Sequence, residues 1–187
     1  VFAGDHGIMQ EGVSPYPQEI TGEMVRTFLK EGAGINAICR HVRADVTVVD
    51  MGIIPELDPA KLEGGEKLRV HKLGKGTANF AQGPAMSKEQ AEEAVTYGFK
   101  LASDLFEQGV QVLGTGDMGL GNTSPSAAIG ALCTGESLEV MVGRGTGVDD
   151  QGLKRKRTVI DKGLKANNPD PEDGLDILAK VGGFEIG

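Results

Sequence analysis

Residues 110–122 read VQVLGTGDMGLGN, and this stretch, continued by Thr123, Ser124 and Pro125 into an alanine-rich run, decides the fold. The apolar positions Val110, Val112 and Leu113 predict a short buried strand. It breaks into glycines at 114, 116, 119 and 121, and Ser124 before Pro125 predicts an N-cap followed by the first position of a helix. A strand, a glycine loop and a helix start form a unit with one natural guest. Glycines let backbone N–H groups come close to a ligand, and the helix N-terminus adds partial positive charge, so the unit suits a phosphate. Two other readings stay open. Gly114, Gly116 and Gly119 satisfy the GxGxxG spacing of dinucleotide-dependent oxidoreductases, but that motif needs an acid at the end of the next strand, about 20 residues on. The next strand expected here, residues 138–142, ends in Gly143 and Arg144, with Glu136 and Glu139 before or inside it. The ribose-binding carboxylate is therefore missing where it is needed. The blander reading is a glycine turn that only packs strand against helix.

The surrounding sequence narrows the class. A chain of 187 residues is long enough to bury roughly 70% of its unfolded surface as one domain. No apolar run approaches the roughly 18 residues of a membrane span, and no signal peptide is visible, which predicts a cytoplasmic protein with no membrane partner. A net charge of −8 argues against nucleic acid as a partner. Cys39 and Cys133 lack CxxC spacing and sit in apolar helical contexts, so buried thiols are expected rather than a disulfide or a zinc site. With 29 glycines and 4% aromatics, the chain favours close backbone approach over ring stacking. Val1 opens inside a strand pattern and Gly187 closes directly after GGFEI, from which a domain truncated at both ends is expected.

In chain order, residues 1–3 form a strand that delivers Asp5 and His6 between Gly4 and Gly7, either to a site at the sheet edge or merely to satisfy each other in a turn. Two prolines in residues 12–18 predict an irregular loop. From Thr21 the apolar spacing is helical through Val42 and softens at 31–34, predicting two helices. Residues 46–51 (VTVVDM) predict a parallel strand covered on both faces, and 68–70 a short one. Ser87 and Gln90 form a capping box for a helix that ends at Gly109. Gly135 closes the helix that begins at Pro125. A second glycine turn, GRGTG at 143–147, precedes Asp149 and Asp150, which predict a cap for a helix over 151–166 rather than a metal site. The basic run KRKR at 154–157 is expected to face solvent, with one cation within reach of an anion held by the glycine loops. Asp170 and Pro171 start the last helix, which Gly182 and Gly183 stop. This order predicts an α/β fold with a mainly parallel sheet and a ligand site beyond the carboxyl ends of its strands.

Taken together, AGDHG and EGVSPYPQEIT, then VVDMG, GTANFAQGPAMS, GDMGLGNTSPSAA, GRGTGVDD with GLKRKR, and DPEDGLDILAKVGGFEI resemble the nicotinate-nucleotide–dimethylbenzimidazole phosphoribosyltransferase family, in the same order and across nearly the whole chain. The resemblance implies a homodimer with a Rossmann-like parallel sheet flanked by helices, and a smaller domain assembled from both chain ends. It implies transfer of phosphoribose from nicotinate mononucleotide to 5,6-dimethylbenzimidazole, giving α-ribazole 5′-phosphate and nicotinate for the lower ligand of cobalamin. No metal or cofactor is implied. Carried over by position, the phosphate site comprises Gly119, Asn122, Thr123, Gly145 and Lys156. The benzimidazole pocket comprises Tyr16 and Met24, with Met118 beneath the ring. Asp117 stands where many members have glutamate, one methylene longer. The family's principal general base is a glutamate in an RLGEG segment, which does not occur in this sequence. The resemblance therefore implies little activity for this chain alone. The remaining alternatives are a dinucleotide-dependent oxidoreductase and a non-catalytic nucleotide-binding module.

Overall fold

The computed structural model describes residues 1–187. Four parallel strands form the sheet, β1 (Phe2–Gly4), β2 (Val48–Gly52), β3 (Leu68–Val70) and β4 (Asp117–Met118), in the order β3-β2-β1-β4. Phe2 pairs with Val49 on one side and with Asp117 on the other, and Val48 pairs with Leu68. The order reverses direction at β1, so the crevice between the carboxyl ends of β1 and β4 is the switch point at which open α/β sheets bind ligands. The Rossmann-like parallel arrangement expected from the sequence is present.

The β-branched run in β2 is buried at every position, and its side chains alternate between two cores. Val49 and Met51 face a core of 20 residues. That core also holds Ala91 and Ala94 of α3 (Lys88–Glu107), Ala127 and Ala128 of α4 (Thr123–Thr134), Ile160 of α6 (Asp150–Asn167) and Ile177 of α7 (Gly174–Val181). Val48 faces a core of nine residues with Val25, Phe28 and Leu29 of α1 (Ile20–Leu29), and Leu68 of β3 closes it. A second helix, α2 (Gly34–Val42), follows α1 after the predicted glycine break. Helices thus cover both faces of the sheet.

Local signals set most boundaries. The Ser87 side chain accepts from the Gln90 N–H while Gln90 Oε1 accepts from the Ser87 N–H, starting α3 as the capping box predicts. Asp149 Oδ1 accepts from the Gly152 N–H at 2.7 Å and starts α6. Gly135 closes α4 at φ 72°, in the left-handed region open to glycine.

Several expectations fail. Residues 110–113 are not a strand; Val112 is 87% exposed, and the strand lies downstream at Asp117–Met118. The register explains this: with Phe2 opposite Asp117, Val1 is opposite Gly116, and residues 110–115 have no counterpart on β1. Residues 138–142 form a helical turn, α5 (Leu138–Met141), rather than a strand. Leu138, Met141 and Val142 pack on the larger core while Val140 is 67% exposed, so the inward positions are i, i+3 and i+4 rather than alternate residues. The last helix begins after Asp173, whose carboxylate accepts from the N–H groups of Leu175 and Asp176, and not at Asp170. Cys39 is half-buried and Cys133 exposed, both free, so neither is a buried thiol. Their helices turn those positions away from the cores.

Candidate active site

Three segments meet at the switch point: the loop after β1, the glycine turn between β4 and α4, and the turn at 143–147 leading into α6. Helix α6 aims the central group. Its buried face carries Lys156, Val159, Ile160, Gly163 and Asn167, spaced as a helical stripe, so Lys156 is forced inward while Lys154 and Arg155 stay exposed. Only 2% of Lys156 remains exposed. Its Nζ donates to Thr123 Oγ1 at 2.5 Å and to the Gly143 carbonyl at 3.4 Å, and a Cβ added at Gly145 would lie 3.4 Å from it. One cation therefore ties together both glycine turns. Burial pulls its pKa below the ordinary lysine value, and no acidic neighbour offsets the shift. A buried ammonium without a counter-charge is expensive, and an anion delivered to the two turns would supply what is missing.

The first turn is shaped for close approach. A Cβ at Gly119 would lie 2.2 Å from the Gly4 carbonyl oxygen and 2.9 Å from His6 Nε2, so only glycine fits. Next to it, the Leu120 N–H donates to Thr21 Oγ1 at 3.1 Å, tying the turn to α1. Asn122 Nδ2 donates to Asp117 Oδ2 at 2.5 Å and holds that carboxylate, which is otherwise exposed, at the rim of the crevice. Asn122 makes no side-chain cap on α4, so the helix starts at Thr123 rather than at the Pro125 expected from its sequence. Gly145, at φ 55°, faces Thr123 and completes the crevice.

Of the aromatic-pocket candidates, Met24 and Met118 are both half-buried against the smaller core, on α1 and β4 respectively. Tyr16 lies outside that cluster, 49% exposed on the proline loop. The structure thus brings Thr123 and Gly145 to Lys156, with Gly119 and Asn122 in the turn before Thr123, sets the two methionines on the other core, and leaves Tyr16 exposed on the proline loop. Gly114 and Gly116 precede β4, so the strand falls inside the GxGxxG motif instead of before it. The motif as a whole therefore does not form the strand-to-helix turn of a dinucleotide site.

Asp5 and His6 do not satisfy each other. Asp5 Oδ2 accepts from the Ile54 N–H at 2.7 Å, while His6 Nε2 lies 2.6 Å from Glu185 Oε1. Asp50, in the middle of β2, accepts from the N–H groups of Gly52 and Ile53, and burial raises its pKa against the pull of those N–H groups and of Lys72. Sequence reasoning missed Thr21 and Glu185. Thr21 is one polar residue in a helical run and gives no signal of its own. Glu185 stands as an acid between Phe184 and Ile186, and an acid framed by apolar residues was the available cue.

A phosphoribosyltransferase family model matches residues 1–187. The nicotinate-nucleotide–dimethylbenzimidazole phosphoribosyltransferase of Roseiflexus sp. (strain RS-1) is 52% identical over 187 residues, which are 100% of this chain and 52% of that protein. The protein of the same name from Geobacter sulfurreducens is 50% identical over 185 residues, 99% of this chain and 51% of its own. The crystal structure of CobT from Thermus thermophilus superposes with a TM-score of 0.89 at 44% identity, covering 98% of this chain and 54% of that one. The chain spans about half the length of the curated relatives it matches.

Proposed function

The chain belongs to the nicotinate-nucleotide–dimethylbenzimidazole phosphoribosyltransferase family, and from that premise we propose that it carries the sugar-phosphate site of an enzyme moving phosphoribose from nicotinate mononucleotide to 5,6-dimethylbenzimidazole. The observation that carries this reading is Lys156, a buried cation with no acidic partner, between two glycine turns at the switch point. In this reading residues 1–187 are a single α/β nucleotide-binding domain.

The 5′-phosphate sits against Gly119, Asn122, Thr123 and Gly145 with Lys156 beneath it. Binding energy gathered there, away from the reacting carbon, orients the ribose. The azole nitrogen lone pair then attacks the anomeric carbon from the face opposite nicotinate. The carbon–nitrogen bond to nicotinate breaks, and its electron pair neutralises the pyridinium. The azole N–H proton must leave to a base. Asp117 takes that role in this reading, supported by the hydrogen bond from Asn122 that holds its carboxylate at the rim. Met24 and Met118 supply an apolar wall for the flat base, with Tyr16 closing over it from the proline loop. In this reading the enzyme works as a cytoplasmic homodimer, and the exposed apolar face of α3, with Val95, Phe99 and Phe106, supports the dimer.

The test is single-turnover formation of α-ribazole 5′-phosphate, with the chain in excess over labelled nicotinate mononucleotide. A well-placed base contributes about 10²- to 10⁴-fold, and with the RLGEG glutamate absent from this sequence, product is expected that much more slowly than from a full-length relative. Asp117→Asn is expected to remove most of the remaining rate. Tight binding of dinucleotides with none of the mononucleotide would overturn the proposal. Nucleotide binding without any product would reduce it to a binding module.

A further inference from the structure

His6 and Glu185 form the most deeply buried pair of ionisable side chains in the chain, 1% and 0% exposed, and the reaction as written uses neither. The sequence brings them together from opposite ends. His6 lies two residues past the end of β1, and Glu185 lies four residues past the end of α7. Glycines clear the niche for the carboxylate: a Cβ at Gly4 would lie 2.4 Å from Glu185 Oε2, and one at Gly183 would lie 2.8 Å from the same atom. On its other side the imidazole rests against Gly119, where a Cβ would lie 2.9 Å from Nε2. The ring is therefore wedged between a buried acid and the backbone of the first glycine turn.

The charges around the ring have one sign. Glu185 from the segment after α7, Asp5 from the loop after β1 and Asp117 from β4 all act on it, and no basic side chain does. Across from it, the Thr77 segment pairs with His6 through backbone alone, and Gln18 donates to the His6 carbonyl at 3.2 Å. The 2.6 Å approach lacks hydrogen-bond alignment, and both Glu185 oxygens and both ring nitrogens are otherwise without partners. Burying a carboxylate without hydrogen-bond donors is costly, and a positive charge beside it offsets that cost.

We propose that His6, kept as an imidazolium by Glu185, is a positioning residue for the Gly119 turn, and that binding of a phosphorylated nucleotide at that turn depends on the pair being intact. The proposal rests on the phosphate reading of the site. It deepens that reading by adding a second, protonatable cation behind the turn, away from Lys156.

The direction with pH follows. Burial by itself lowers the His6 pKa, but Glu185, with Asp5 and Asp117 adding to it, outweighs burial and holds it above the ordinary histidine value. A pair of this kind stabilises fully below the unfolded histidine pKa, and its contribution fades as pH rises through the raised folded value. Nucleotide affinity follows the same direction, and by reciprocity bound nucleotide raises the titration midpoint of His6.

The experiment is calorimetric titration of nicotinate mononucleotide into the wild-type chain, Glu185→Gln and His6→Gln, from about pH 6 to about pH 9. Wild-type affinity is expected to fall with rising pH. Glu185→Gln is expected to weaken binding about tenfold at the acid end, within the usual range for coupled sites, and to flatten the profile. The pH dependence left in His6→Gln reports Lys156 together with the ligand's own phosphate, whose second pKa is about 6. Where a variant fails to fold, the wild-type His6 ring resonance serves: its midpoint is expected to rise on saturation with the nucleotide, and an unmoved midpoint overturns the proposal. Binding in the wild type that both variants leave unchanged in strength and pH profile overturns it as well. Absence of any wild-type binding overturns the phosphate reading and this proposal with it.

Discussion

Lys156 concentrates the physical conflict of the fold in one side chain. Its ammonium is withdrawn from water with only a hydroxyl and a carbonyl as acceptors, so the ligand-free chain sacrifices stability to keep a charge where an anion would sit. Lys156→Met is accordingly expected to stabilise the ligand-free chain by about 0.5–2 kcal/mol at neutral pH, read from the urea midpoint. Because the folded pKa of Lys156 is lowered, the unfolded chain binds more protons between that value and the ordinary lysine value, so wild-type stability rises with pH there. The advantage of Lys156→Met should therefore shrink toward alkaline pH. A gap that stays constant or widens would show that the amine is not penalised by burial. Gly119 makes the opposite case, a residue defined by what it lacks. Gly119→Ala would force a methyl group against the Gly4 carbonyl, and overpacking of this kind costs about 1–3 kcal/mol in the same denaturation measurement. An unchanged midpoint would mean that the turn is slack enough to move aside.

Elements with a local chemical boundary were legible, and those whose state depends on a distant partner were not. Ser87 with Gln90, Asp149 and Gly135 each announce a helix end through a side chain or a φ angle, and the helices begin or stop beside them. By contrast, residues 110–113 have the composition of a strand but no pairing partner in register, and 138–142 look β-branched while their inward spacing is helical. The strand's position bears on the site, because at Asp117–Met118 β4 lies inside the glycine motif. The cap on α6 links element to function, since that helix carries Lys156 two turns from its start. Asp149→Ala removes the acceptor for the Gly152 N–H and is expected to cost about 1 kcal/mol of stability. It should also weaken nucleotide binding several-fold without abolishing it. Full retention of affinity despite the lost stability would uncouple the start of α6 from the site.

At the scale of the molecule, a sheet of four short strands holds two cores apart and sets three glycine-bearing loops at one edge. The parallel architecture and the edge location followed from the order of apolar runs and glycine turns. The convergence of His6, Gly119 and Glu185 did not, because it joins residues from both ends of the chain and depends on how α7 returns across the sheet. The exposed face of α3 carries Val95, Phe99 and Phe106 at helical spacing, and the proposed homodimer is tested there. Sedimentation should show concentration-dependent association that Phe99→Asp reduces, and a monomer at every concentration would remove that face as the dimer surface. The central claim, that the crevice around Lys156 binds the phosphate of a mononucleotide, is tested most directly by calorimetric titration of nicotinate mononucleotide into the wild-type chain and into Lys156→Ala. One site per chain is expected in the wild type, weakened by roughly 1–3 kcal/mol in the variant through loss of a charge-assisted contact. Identical isotherms for the two proteins would contradict it.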